Sequence, residues 1–167
     1  MRDVAEKAHL TPASLYYHFP NKEQLYREAM IYAFQQITGT VKRAIAIAGS
    51  PFDKLEAVII TATQTLAKEK DLLRLMQWVK LDRSKERLQE IGVAAFQELY
   101  ATVYELAAEL GSGFDTGLLA MSITGMVIFP FEADEVFRYL PDYRALSNPT
   151  RLSHHIMQLL RAALIAE

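Results

Sequence analysis

The chain is predicted to be all-α, and three observations lead there. Apolar residues recur at spacings of three and four wherever the sequence is periodic, and no stretch alternates as a half-buried strand would. Thr11, Asn21, Ser50, Ser84 and Asp115 each stand just before such a stretch, where a side-chain oxygen can cap the free N–H groups of a helix. Breaks at Gly49-Ser50-Pro51 and Gly111-Ser112-Gly113 separate the long stretches, and no internal repeat or low-complexity tract appears.

Each element has a local reason. Residues 2–8 carry Val4, Ala5 and Ala8 at helical spacing, and the small Ala5 lets a second helix cross closely above it. His9-Leu10-Thr11 is a turn of the length a helix-turn-helix needs. Thr11 supplies a cap hydroxyl, and Pro12 opens the next helix because a first helical position loses nothing by lacking an N–H. Leu15 and Phe19 face inward on it, leaving Ala13, Ser14, Tyr16, Tyr17 and His18 around the outer face. Asn21 starts a long helix to about residue 48, with Gln24 at the reciprocal capping-box position and an apolar stripe of Leu25, Ala29, Tyr32, Ile37, Val41 and Ile45. A helix over 51–68 comes next, then one over 71–81 bearing Leu72, Leu75, Met76 and Val79. A long helix after Ser84 keeps the stripe Leu88, Ile91, Ala95, Leu99, Val103, Leu106 and Leu110. Asp115 caps a helix expected to run to Phe129, apolar almost all round, which therefore needs burial on every side. Residues 130–150, with Pro130, Pro141 and Pro149, are expected to be an irregular excursion holding a short helix over 134–140, before a last helix over 152–166.

The first twenty-two residues concentrate the chemistry. Hydroxyl, aromatic, His and Lys side chains crowd the second short helix, and Lys22 stands beside a helix N-terminus suited to phosphate. That is the layout of a helix-turn-helix that reads DNA. The run VAEKAHLTPASLYYHFPNKEQL resembles the DNA-binding region of the tetracycline-repressor (TetR/AcrR) family, closely over about the first thirty residues. The resemblance implies a helical head, a larger ligand-binding and dimerisation domain, and DNA contacts at matching positions. Arg2 is implied at a base edge or phosphate. Thr11, Pro12, Ala13 and Ser14 are implied as the recognition tip in the major groove, and Tyr16, Tyr17, His18 and Lys22 as phosphate contacts that set register. Two departures accompany the match: the helix that precedes the motif in the family would lie before Arg2, outside this chain, and His9 occupies a turn position where the family has Gly.

The expected division is a head over residues 1–43, including the start of the linking helix, and an all-helical domain over 44–167. The head carries six Lys/Arg against four Asp/Glu and the remainder twelve against sixteen, so the basic excess coincides with the motif although the net charge is −2. With no cysteine, disulfides and thiolate metal sites are excluded and a reducing cytoplasm is the expected setting. The first residues lack a signal-peptide layout, and the apolar run 117–131, interrupted by Ser122, Thr124 and Pro130, is expected to be too short to span a bilayer.

In the body the resemblance implies a small-molecule effector site and a four-helix dimer bundle built from the last two long helices of each subunit. Met76, Trp78, Phe96, Tyr100, Tyr104, Met121, Met126 and Phe129 are the expected lining for an apolar or aromatic molecule, with plain core packing as the alternative for each. Leu118, Met121, Ser122, Gly125, Leu152, Ile156, Leu159, Leu160 and Ala163 are the expected dimer contacts, against packing within one chain. No phosphate-binding loop, nucleophile elbow or metalloprotease motif occurs, so an enzyme is not expected; no cofactor or metal is expected either, since His154 and His155 are adjacent and diverge on a helix. The functional expectation is a homodimeric DNA-binding regulator, a repressor released from operator DNA by the effector. The alternative is a dimeric ligand- or partner-binding helical module whose head is disabled without the preceding helix.

Overall fold

A computed structural model describes residues 1–111, 113–141 and 148–165, with nine α-helices and no strand among them. They are α1 (Arg2–Lys7), α2 (Pro12–His18), α3 (Lys22–Ala46), α4 (Pro51–Lys68), α5 (Lys70–Leu81), α6 (Lys85–Ile91), α7 (Gln97–Glu109), α8 (Thr116–Phe137) and α9 (Pro149–Ile165). A π-helical segment, Gly92–Phe96, joins α6 to α7. The expected all-α class, with a helix-turn-helix head ahead of a helical body, is what the chain adopts.

Caps start the helices where local sequence supplies them. Thr11 Oγ1 accepts from the Ser14 N–H at 3.1 Å, Asn21 Oδ1 from Gln24 at 2.8 Å, and Asp115 Oδ1 from Leu118 at 2.8 Å. At α4 the Ser50 hydroxyl and the Asp53 carboxylate satisfy each other's backbone N–H groups, so the reciprocal capping box closes there, with Pro51 at the first helical position.

α4 is the central helix, packed against α3, α5, α7, α8 and α9. Its Leu55, Ile59 and Thr63 are fully enclosed, and Thr63 turns its hydroxyl to the Ile59 carbonyl at 2.8 Å, so it enters the core without a lost hydrogen bond. Met30, Phe34, Ile37 and Val41 form the buried face of α3. Tyr32, expected on that face, is 65% exposed, because the true stripe steps 30-34-37-41 and leaves position 32 nearly opposite. Ion pairs Lys42–Glu98, Lys54–Glu109, Lys80–Glu132 and Arg161–Glu56 cross between helices at the surface.

Two elements differ from expectation. The helix after Ser84 is not uniform: it widens to a π turn at Gly92–Phe96, which readjusts the facing of α7, and Leu88 lies at the exposed edge. α8 does not stop at Phe129. It continues through Pro130 to Phe137, so the irregular excursion expected from residue 130 and its short helix are replaced by two further helical turns. Proline removes one i→i−4 bond but leaves the helix to continue where packing holds it, and here Phe131 and Ala133 beyond it are buried. At 22 residues α8 is therefore long and apolar enough, by length and composition, to cross a membrane, contrary to the shorter run expected. In this fold it lies against α4, α7 and α9 with Leu119, Ala120, Ile123 and Val127 buried. Of the rest of the expected excursion, residues 138–141 form a turn, Pro149 and Thr150 already belong to α9, and residues 142–147 lie outside the described residues.

Candidate functional site

The head is small, and its two short helices pack together, with Ala5 of α1 and Leu15 of α2 buried. The turn between them is a Schellman closure: the Leu10 N–H donates to the Ala5 carbonyl at 2.8 Å and the His9 N–H to Glu6 at 3.1 Å. That closure puts His9 at φ 56°, the left-handed conformation that favours glycine and that His adopts at a cost.

Closing the turn in this way aims α2 outward. Thr11, Pro12 and Ala13 are exposed at its N-terminus and Ser14 is half-buried, with the Thr11 hydroxyl committed to the cap. Tyr16, Tyr17 and His18 are exposed on its far side; Tyr17 is 85% exposed and meets the His18 ring edge-on at 5.2 Å between centroids. Arg2 heads α1 and Lys22 heads α3, and both are exposed. The nine residues expected to contact DNA thus lie on three helix starts and one outer helix face, with only Ser14 partly covered. Exposed Arg and Lys beside helix N-termini present the donors that phosphate takes, and an exposed short helix with small residues at its tip suits a major groove.

An apolar cavity of about 250 Å³ lies in the body. Its wall draws on α3, α4, α5, the π segment, α7 and α8, including Phe34, Ile37, Ala62, Met76, Phe96 and Val127. Phe96, the last residue of the π turn, packs against Phe34 of α3 with ring centroids 4.1 Å apart and the rings tilted by 50°. Two lining residues carry hydroxyls, and both are engaged: Thr124 donates to the Ala120 carbonyl at 2.8 Å and Tyr100 to the Gly117 carbonyl at 3.5 Å. Among the described residues the wall holds no Asp, Glu, Lys, Arg or His. What this space can accept is a small neutral molecule held by shape and dispersion.

Of the residues expected to line such a site, Met76, Phe96, Tyr100 and Met121 do. Trp78 and Phe129 are 67% and 56% exposed, Tyr104 is exposed as well, and Met126 packs on the core without reaching the cavity. Trp78 lies two positions past Met76, hence on the opposite side of α5, and Phe129 belongs to the outward stripe of α8. Sequence reasoning missed Phe34, Ile37 and the α4 wall of Val58, Ala62 and Leu66. The available signal was the four-residue step from Met30 to Phe34 on the long helix.

That outward stripe is the other feature of the body. Leu118 is 70% exposed, and Ser122, Gly125, Phe129 and Val136 continue it at helical spacing on α8, with Met121 exposed at its edge. On α9, Leu159 and Ala163 are exposed while Leu152, Ile156 and Leu160 are buried within the chain. The nine residues expected at a dimer interface therefore divide: six lie open and three belong to the core.

A short helix-turn-helix with polar, aromatic and basic groups on its outer face defines the class, a DNA-binding protein. Residues 1–29 match the family model described as bacterial regulatory proteins, tetR family, and this match over the head supports a DNA-binding transcription regulator. No curated protein matches the chain.

Proposed function

We propose that the chain is a homodimeric cytoplasmic repressor that leaves its operator when a small, neutral, apolar or aromatic molecule enters the cavity. The observation that carries this reading is a shared wall: Phe34 and Ile37, which line the cavity, belong to α3, the helix that begins directly after the outer helix α2 and links the helix-turn-helix to the body. A ligand that displaces these side chains acts on the helix that positions α2. Residues 1–43 then serve as the head and 44–167 as the sensing and dimerising body. Thr11, Pro12, Ala13 and Ser14 enter the major groove, with Arg2 at a base edge or phosphate and Tyr16, Tyr17, His18 and Lys22 on phosphates.

The open stripe of α8 supports the dimer. An apolar helix with Leu118, Met121, Phe129 and Val136 uncovered exposes surface that a second copy of the same face can bury, and closed two-fold pairing is the commonest way of doing so. Leu159 and Ala163 of α9 extend that face.

Filling the cavity from within tests the reading. Ala62 lines it, and Ala62→Phe places a ring in the space an effector takes. The variant is expected to lose binding of the neutral fluorophore N-phenyl-1-naphthylamine, and that probe, which should release DNA from the parent chain, should no longer release DNA from the variant. Unchanged probe binding by folded Ala62→Phe, or DNA retention indifferent to the probe in the parent, contradicts the proposal.

A further inference from the structure

The geometry points to the Tyr26 phenol as a positioning group, the fulcrum about which α3 pivots when the apolar cavity is filled; this rests on reading that cavity as the effector site. Tyr26 lies one turn after Lys22, in the part of α3 nearest the head, and its O–H donates to the Leu75 carbonyl of α5 at 2.8 Å. Among the hydrogen bonds of the described residues that start on α3, this one joins the head-bearing end of that helix to the body. Burial, with the Asp82 carboxylate nearby, holds the phenol above its usual pKa, so it remains a donor throughout the neutral range.

Position along the helix makes the bond a fulcrum. Phe34 and Ile37, the cavity residues of α3, lie eight and eleven residues beyond Tyr26, about 12 and 16 Å along the axis. A push at that distance from a fixed point rotates a stiff helix, and the end before Tyr26, which bears the head, swings the other way. Without the fixed point the same push slides the helix and swings the head less.

The surroundings of Tyr26 suit this in two ways. The anchor is itself held: α5 is tied to α8 by Lys80–Glu132, and Asp82 at its end grips the Arg87 guanidinium through two 2.8 Å bonds while accepting from the Ser84 N–H at 2.9 Å. The swinging end has room, since a cleft of about 350 Å³ separates Glu23, Gln24 and Arg27 of α3 from Arg87 and Glu90 of α6. Tyr26 borders that cleft.

Because the chain has no cysteine, Lys7→Cys on α1 and Ala108→Cys on α7, both exposed, place two spin labels at defined positions. Labelled chain diluted with unlabelled chain reports the head-to-body distance within one subunit, and N-phenyl-1-naphthylamine serves as the cavity probe, its fluorescence read on the same samples. The parent is expected to bind the probe and populate a displaced distance. Tyr26→Phe keeps the ring and its packing but not the hydroxyl. It is expected to bind the probe equally well and melt within a few degrees of the parent, yet show a ratio of displaced to undisplaced populations about five-fold lower. Tyr32→Phe, on the exposed side of α3, should behave as the parent. A distance shift in Tyr26→Phe equal to the parent's overturns the fulcrum. Probe bound with no distance change in the parent overturns it while leaving the cavity reading intact, and no probe bound by the parent overturns both.

Discussion

His9 shows how much one residue can say. The Schellman closure needs a left-handed residue after α1, and His stands there at φ 56° where glycine fits without strain. His9→Gly is expected to raise stability by about 1 kcal/mol in thermal unfolding, with the turn geometry retained. Asp82 gives a residue-scale dependence on pH. The Arg87 guanidinium and the Ser84 N–H lower its pKa from 3.8 to about 2, so the folded state holds the proton less tightly than the unfolded chain. Its contribution is therefore complete above the unfolded value and is lost as pH falls from 3.8 towards 2. In acid titrations monitored by circular dichroism, Asp82→Asn is expected to be less stable than the parent at neutral pH and to show a shallower loss across that window. Caps and turn residues were legible in the sequence because their partners lie three or four residues away. Asp82–Arg87 and Tyr26–Leu75 were not: the first depends on how the chain turns between α5 and α6, the second on which helices become neighbours.

Between residues and the whole, the helices obey local rules until tertiary packing overrides them. Ser50 starts α4 with a closed capping box, so Ser50→Ala is expected to cost about 1 kcal/mol in denaturant unfolding. Pro130 was readable as a stop and is not one, since Phe131 and Ala133 are buried beyond it and hold the helix together. The π turn at Gly92–Phe96 had no signal in apolar spacing, because the stripe on either side keeps nearly the same period. Its consequence is nonetheless central to the cavity, for it ends on Phe96, the ring that packs against Phe34. Aromatic and methionine side chains marked part of that wall in the sequence, through Met76, Phe96, Tyr100 and Met121. The same criterion overshot to Trp78 and Phe129 because composition names a residue type and only packing decides which way it faces.

At the scale of the molecule, charge and uncovered apolar surface point to partners. The basic excess is confined to the first 43 residues and is only two charges, so the proposed operator binding calls for two heads on one duplex. Phe129→Glu places a charge in the open α8 stripe and is expected to shift the chain from dimer to monomer in analytical ultracentrifugation, and to weaken DNA binding with it. Lys22→Ala is expected to leave the dimer intact and lower the slope of log affinity against log salt by about 1 per head. The most direct measurement is selection of bound fragments from a genomic DNA pool by the purified chain, with salt then titrated on the fragments retained. The expected result is a palindromic fragment bound by a dimer, with affinity falling steeply as salt rises. No enrichment from folded, dimeric protein, or fragments without two-fold symmetry held equally well at all salt concentrations, would contradict the operator-binding role.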